Sequence, residues 1–174
     1  MNKLILKTSL AALMAGSLGT AIAENISGTA TANVIAPLTV AETVALDFGD
    51  IAGGATAGTI VISSAGAISA TGGATFVPAS VSNQATFDIT GAVSTAILVT
   101  VDFTGTQLDD GAGGGAVMPI SAFTTTALPV TTDAGGLATF DVGATLDVGI
   151  NQTAGAYDTV LGAGVPYSVT VNYN

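Results

Sequence analysis

Residues 96–103, Ala-Ile-Leu-Val-Thr-Val-Asp-Phe, decide the fold class. Ile97, Val99, Val101 and Phe103 share one phase, and Leu98, Thr100 and Asp102 the other. A period of two sends successive side chains to opposite faces of a strand. Residues 167–173 repeat the pattern: Tyr167, Val169, Val171 and Tyr173 against Ser168, Thr170 and Asn172. Residues 43–49, 59–63, 84–90, 137–142 and 145–150 alternate in the same way, and residues 117–126 read as a strand broken by Pro119. Residues 67–71 and 75–78 are fainter strands separated by Gly72-Gly73. Gly-rich punctuation recurs, and no helical period follows residue 23. The expectation is all-β: an Ig-like β-sandwich of about eight to ten short strands in one domain. Phe48, Phe87, Val99, Val101 and Phe140 fall on the expected buried face. Asp47, Asp88, Asp102, Asp141 and Asp147 sit between apolar neighbours, so they point outward and discourage edge pairing.

The first 23 residues read differently. Lys3 and Lys7 form a charged start, residues 10–22 are mostly apolar, and Ala21-Ile22-Ala23 is a small-residue cleavage site. That is a secretory signal, and a bacterial one from its short Lys-flanked form. The expected location is beyond the inner membrane: periplasm, cell surface or medium. Cleavage after Ala23 leaves 151 residues with all twelve acids and neither base, a formal charge of −12. Residues 24–174 also hold no His, Cys or Trp. No imidazole base, Schiff-base lysine or Ser-His relay can be built from them. Zinc, haem and iron–sulfur sites lose their usual ligands. Nothing neutralises phosphates, so nucleic acid is excluded as a partner, and anionic lipid is repelled. No run after the signal is long and apolar enough for a membrane helix.

Carboxylates are the remaining chemistry. Asp109-Asp110 is the one adjacent pair, but it lies in the Gly-rich loop 108–115, where two groups cannot be held in the fixed geometry that glycoside hydrolysis requires. Asp47, Asp50, Asp109 and Asp110 are calcium candidates. Their spacing is not that of an EF-hand loop, and an acid beside glycine is an ordinary turn former. The run Gly113-Gly114-Gly115 lacks the lysine of a phosphate loop. Asn25-Ile26-Ser27 and Asn151-Gln152-Thr153 match the glycosylation triplet by chance. No catalytic residue and no cofactor is expected.

Residues 28–40 alternate with small side chains: Ala30, Ala32, Val34, Ala36 and Leu38 share one phase, and Pro37 interrupts the donor pattern. That suits an edge strand. This segment, running through Val34-Ile35-Ala36-Pro37-Leu38-Thr39-Val40 to Leu46-Asp47-Phe48-Gly49, is one of two telling motifs. The other is the carboxyl end, from Gly143-Ala144-Thr145-Leu146 to residues 167–174. Together they resemble an uncharacterised family of small exported bacterial proteins, a domain of unknown function rich in Gly, Ala and Thr. That resemblance carries no enzymatic activity. A looser likeness is to chaperone–usher fimbrial subunits, incomplete Ig-like sandwiches completed by an alternating strand from the next subunit. Tyr173 matches their penultimate tyrosine, while the absence of a Cys pair and the presence of Pro37 depart from their pattern.

The expected function is therefore an exported structural subunit of a surface filament or matrix, pilin-like, self-associating by strand exchange. Residues 24–40 serve as donor or edge strand, and Tyr167, Val169, Val171 and Tyr173 border the acceptor groove. The fimbrial likeness implies a periplasmic chaperone as a further partner. The alternative is a monomeric surface or periplasmic binding module, an adhesin. An outer-membrane barrel ranks lower, because the strands are short and lack aromatic girdles. An enzyme ranks last.

Overall fold

The structure is a computed structural model and describes residues 24–174. The expected signal peptide, 1–23, lies outside the described residues. Residues 24–33 carry no strand, and Val34–Asn174 is a compact unit holding all twelve. These are β1 (Thr39–Val44), β2 (Ile51–Ala52), β3 (Gly58–Ile62), β4 (Ile68–Gly72), β5 (Thr75–Phe76) and β6 (Ala85–Thr90), followed by β7 (Ala96–Asp102), β8 (Gln107–Asp109), β9 (Val117–Thr125), β10 (Val130–Thr131), β11 (Leu137–Val148) and β12 (Ser168–Tyr173). Among the described residues no helix forms. The fold is all-β and sandwich-like, with every ladder antiparallel.

The 12-residue strand β11 organises a seven-stranded sheet. Val142 pairs with both Ala85 of β6 and Thr125 of β9, and Ala144 with both Ile62 of β3 and Phe123 of β9. A strand has two edges, so β6 and β3 follow one another along one edge of β11, and β9 takes the other. Gly143 marks the changeover. A Cβ there would collide with the Ile62 carbonyl oxygen and the Ser63 and Ser64 backbone, so only glycine fits. β1 continues the sheet beyond β6, β4 beyond β3, and β8 beyond β9. A second sheet, β10-β7-β12, has three strands.

Two apolar clusters result. Phe48, Ile60, Ile62, Met118, Ile120 and Leu146 centre the first. Phe87, Ile89, Ile97, Val99, Phe140 and Val142 centre the second, which joins β6 and β11 to β7, with Val169 and Val171 of β12 packed against it. Phe48, Phe87, Val99 and Phe140 are buried as expected; Val101 is only half-buried. Val101 pairs with Val169, where the two sheets part. The outward acids take hydroxyl partners across the ladder. Thr139 Oγ1 donates to Asp88 at 2.9 Å, Thr86 Oγ1 to Asp141 at 2.8 Å, and Ser121 Oγ to Asp147 at 2.8 Å.

Four local expectations change. Residues 28–38 form no strand, because β1 begins at Thr39. Their alternating set is mostly alanine, which offers too little area to hold a segment on a sheet, and Pro37 cannot donate. Residues 137–142 and 145–150 are one strand, continued through Gly143. Pro119 does not break β9; it pairs with Gln107 of β8, and pairing resumes at Ile120, whose N–H reaches the Thr106 carbonyl at 2.9 Å. Asp109 is not in a mobile loop but ends β8, 4% exposed.

Candidate functional site

The second cluster joins the two sheets, and residues beside β1 and β12 border that junction, closed at one end and open at the other. At the closed end, Leu38 and Val40 pack against the second cluster. Tyr173 Oη donates to the Ala36 carbonyl at 2.8 Å and accepts the Ala92 N–H at 2.7 Å. At the other end Tyr167 crosses the junction, its Oη donating to Glu42 Oε1 at 2.9 Å. Its ring meets Phe123 at 5.0 Å and stands edge-on to Phe87 at 6.3 Å. Burial, then the bond to Glu42 and its charge, push the Tyr167 phenol well above the ordinary tyrosine range.

Beside Tyr167 a half-enclosed cleft of about 1010 Å³ opens. Leu46, Phe48, Phe87 and Leu146 supply apolar lining, and Tyr157, packed against the first cluster, belongs to the same lining. Tyr157 is fixed by its neighbours: Gln152 Nε2 donates to its Oη at 3.0 Å, and the Oη donates to the Thr153 carbonyl at 2.8 Å. Glu42, Asp47, Asp50 and Asp158 also border the cleft. With no base in residues 24–174, its field is negative throughout.

The calcium candidates do not converge. Asp47 Oδ1 accepts the Gly49 N–H at 2.8 Å, Asp109 Oδ1 the Gly111 N–H at 2.6 Å, and Asp110 Oδ1 the Ala112 N–H at 3.0 Å. Each closes its own turn two residues on, which is the ordinary task of aspartate before glycine or alanine. No cluster of three or more potential metal ligands occurs among the described residues. Asp50 lies on the cleft border.

The residues expected to serve assembly fall in two groups. Ala30, Ala32, Val34 and Ala36 are exposed, Val34 at 92%. Leu38 is half-buried against its own second cluster. Tyr167, Val169, Val171 and Tyr173 are half-buried and pack against that cluster, and of the four Tyr167 and Val169 also line the cleft. Sequence reasoning missed the cleft itself. Its border is drawn from eight separate stretches of chain between Glu42 and Val169, and no periodicity marks such a gathering.

No curated protein and no solved structure matches this chain. Residues 38–173, most of the chain, match the family model described as Domain of unknown function (DUF4402), and the chain belongs to that family.

Proposed function

We propose that the protein is an exported structural subunit of a bacterial surface filament or matrix, assembled by strand donation between copies. The observation that carries this reading is a pairing mismatch. Residues 24–37 are exposed, form no strand and hold a single charge, Glu24. Meanwhile β1, β4 and β12 each pair along one edge alone among the described residues. An added strand supplies main-chain hydrogen bonds to such an edge. A head-to-tail contact of this kind does not close, and propagates. The absence of lysine and arginine after residue 7 removes trypsin sites, which suits a surface material. A periplasmic chaperone would cover the free edges before assembly.

Electron microscopy of purified residues 24–174 tests the reading. Filaments or ordered aggregates are expected, promoted by salt because screening weakens the repulsion between chains of charge −12. Deleting residues 24–36 should abolish them. Monomers at high concentration and high salt overturn the reading.

One observation favours the second reading, a monomeric binding module. The cleft holds Tyr157 in a fixed position beside acids, as a ligand site does. Monomeric protein that binds a glycan array through this cleft, and loses binding on Tyr157→Ala, would establish it instead.

A further inference from the structure

The twelve acids are unevenly placed. None lies between Asp50 and Asp88, an uncharged run of 37 residues that contains β2, β3, β4 and β5. Within it β4 is the outer strand of the seven-stranded sheet. Ser69, Ala70, Thr71 and Gly72 are exposed. The direction of its backbone groups follows from the hairpin bonds. Ser63 N donates to the Ala67 carbonyl at 2.9 Å, and Gly73 N to the Ala57 carbonyl at 3.2 Å. Hydrogen-bonded pairs recur at every second residue of an antiparallel ladder, so Val61–Ser69 and Thr59–Thr71 belong to the same set. The N–H and C=O groups of Ile68 and Ala70 therefore point away from β3, into the open edge.

Exposed edges are normally blunted by charge, proline, a bulge or a covering segment. The other candidate edges have such protection. β1 carries Glu42 and a register shift between Glu42 and Val44. β8 is covered by bridges from Gln107 to Val165 and from Asp109 to Asp158. β12, the expected acceptor, is tied through Tyr167 and Tyr173 to Glu42 and Ala36 of its own chain. β4 is five residues long but otherwise has none of these features.

We propose that the open edge of β4 accepts residues 28–36 of a second copy as an added strand. The inference rests on the subunit reading and names its acceptor. Charge narrows the choice of occupant, and freedom from strand pairing selects it. Two chains of −12 with no base can touch closely only where both surfaces lack acids. Outside the run that holds β4, residues 25–41, 111–132 and 159–174 are uncharged; the last two contribute β9, β10 and β12 to the fold, whereas 28–36 are exposed, free of strand structure and alternating. Pro37 sets the limit of the added ladder, since it has no N–H to give. A β4–β4 contact would close as a symmetric dimer, whereas donor and edge on different parts of the chain leave each copy one of each, and the series continues.

The test blocks the edge without touching β3. Ala70→Pro removes an N–H that points outward, and Ser69→Glu places an acid on the contact strand. Both are compared with wild type as residues 24–174, by circular dichroism, thermal midpoint and sedimentation velocity. The expected result is an unchanged spectrum and midpoint with association weakened about tenfold or more, the worth of one or two lost hydrogen bonds. Should Ala70→Pro fail to fold, Ser69→Glu decides. If the folded variants polymerise like wild type while the 24–36 deletion does not, β4 is not the acceptor and the subunit reading stands. If wild type stays monomeric, both fall.

Discussion

Truncating Phe140 and Phe87 separately measures how closed the second cluster is. The two residues face each other in the β11–β6 ladder, with ring centroids 5.1 Å apart and planes 13° from parallel. Phe140 is 1% exposed, within a cluster whose Ile89, Ile97, Val99 and Val142 are all at most 4% exposed. Phe87, at 6%, also lines the cleft. Removing a buried phenyl ring costs about 3–5 kcal/mol, and the spread reflects how well the space is refilled. Nothing can refill the Phe140 site, so Phe140→Ala should cost about 4–5 kcal/mol. Water from the cleft can enter the Phe87 site, so Phe87→Ala should cost about 3 kcal/mol. The double variant should show a coupling of about 0.5–1.5 kcal/mol from the lost stack. Urea unfolding of residues 24–174 at constant m-value gives all three numbers. In calorimetry the Phe140→Ala midpoint should fall by about 10 °C, at roughly 2–4 °C per kcal/mol for a chain of this size. A loss under about 1.5 kcal/mol for Phe140→Ala would refute the strand phase. A greater loss for Phe87→Ala than for Phe140→Ala would refute the cleft's reach into the core.

Mass spectrometry of exported protein should give a chain starting at Glu24, and that material should survive trypsin even when unfolded; an intact Met1 sinks the processing argument. Tyr173→Phe removes the bond to the Ala36 carbonyl and the acceptor of the Ala92 N–H, and should cost about 1–2 kcal/mol in the same urea assay. No measurable change would mean the closed end does not depend on this tyrosine. Tyr167 has a folded-state pKa above its unfolded value of about 10. Its contribution is full below that pH and is lost as pH rises toward the folded value, so Tyr167→Phe should flatten the fall in stability above about pH 10. Equal slopes for variant and wild type count against the buried phenol. Gly143→Ala should cost at least about 2 kcal/mol, since its Cβ collides with backbone rather than a movable side chain.

Strand character was legible wherever both phases carried a signal. Residues 96–103 alternate Ile, Val and Phe with Thr and Asp, and β7 occupies Ala96–Asp102. Residues 28–38 show the limit: alternation there describes a segment able to pair, while pairing needs buried area that alanine cannot give. In sequence, β11 reads as two stretches, 137–142 and 145–150, with Gly143 between them. In the fold it is the point where β6 gives way to β3 along one edge, a contact made by chain more than 50 residues away. The two-residue strands β2, β5 and β10 are shorter than any alternation can mark. The cleft was not legible, since its lining is gathered from stretches of chain scattered between Glu42 and Val169.

The acids join the fold to the proposed assembly. With no base in residues 24–174, none of the carboxylates there can be neutralised by a side-chain ion pair. They are held by neutral donors instead. Asp88, Asp141 and Asp147 accept hydroxyls across the ladder. Asp133 accepts the Leu137 and Gly135 N–H groups, which hold its carboxyl below the usual range, and Asp102 is lowered in the same way by the Thr104 N–H and hydroxyl. These bonds fix the carboxylates on their faces and leave their charge in place. Repulsion between copies is therefore undiminished over the acid-bearing faces, and falls only where acids are missing. Two such runs are 51–87, the longest, which holds an unprotected edge, and 25–41, which begins with a strand-free segment. In the proposed assembly the contact between copies joins two of these acid-free runs, where repulsion is least.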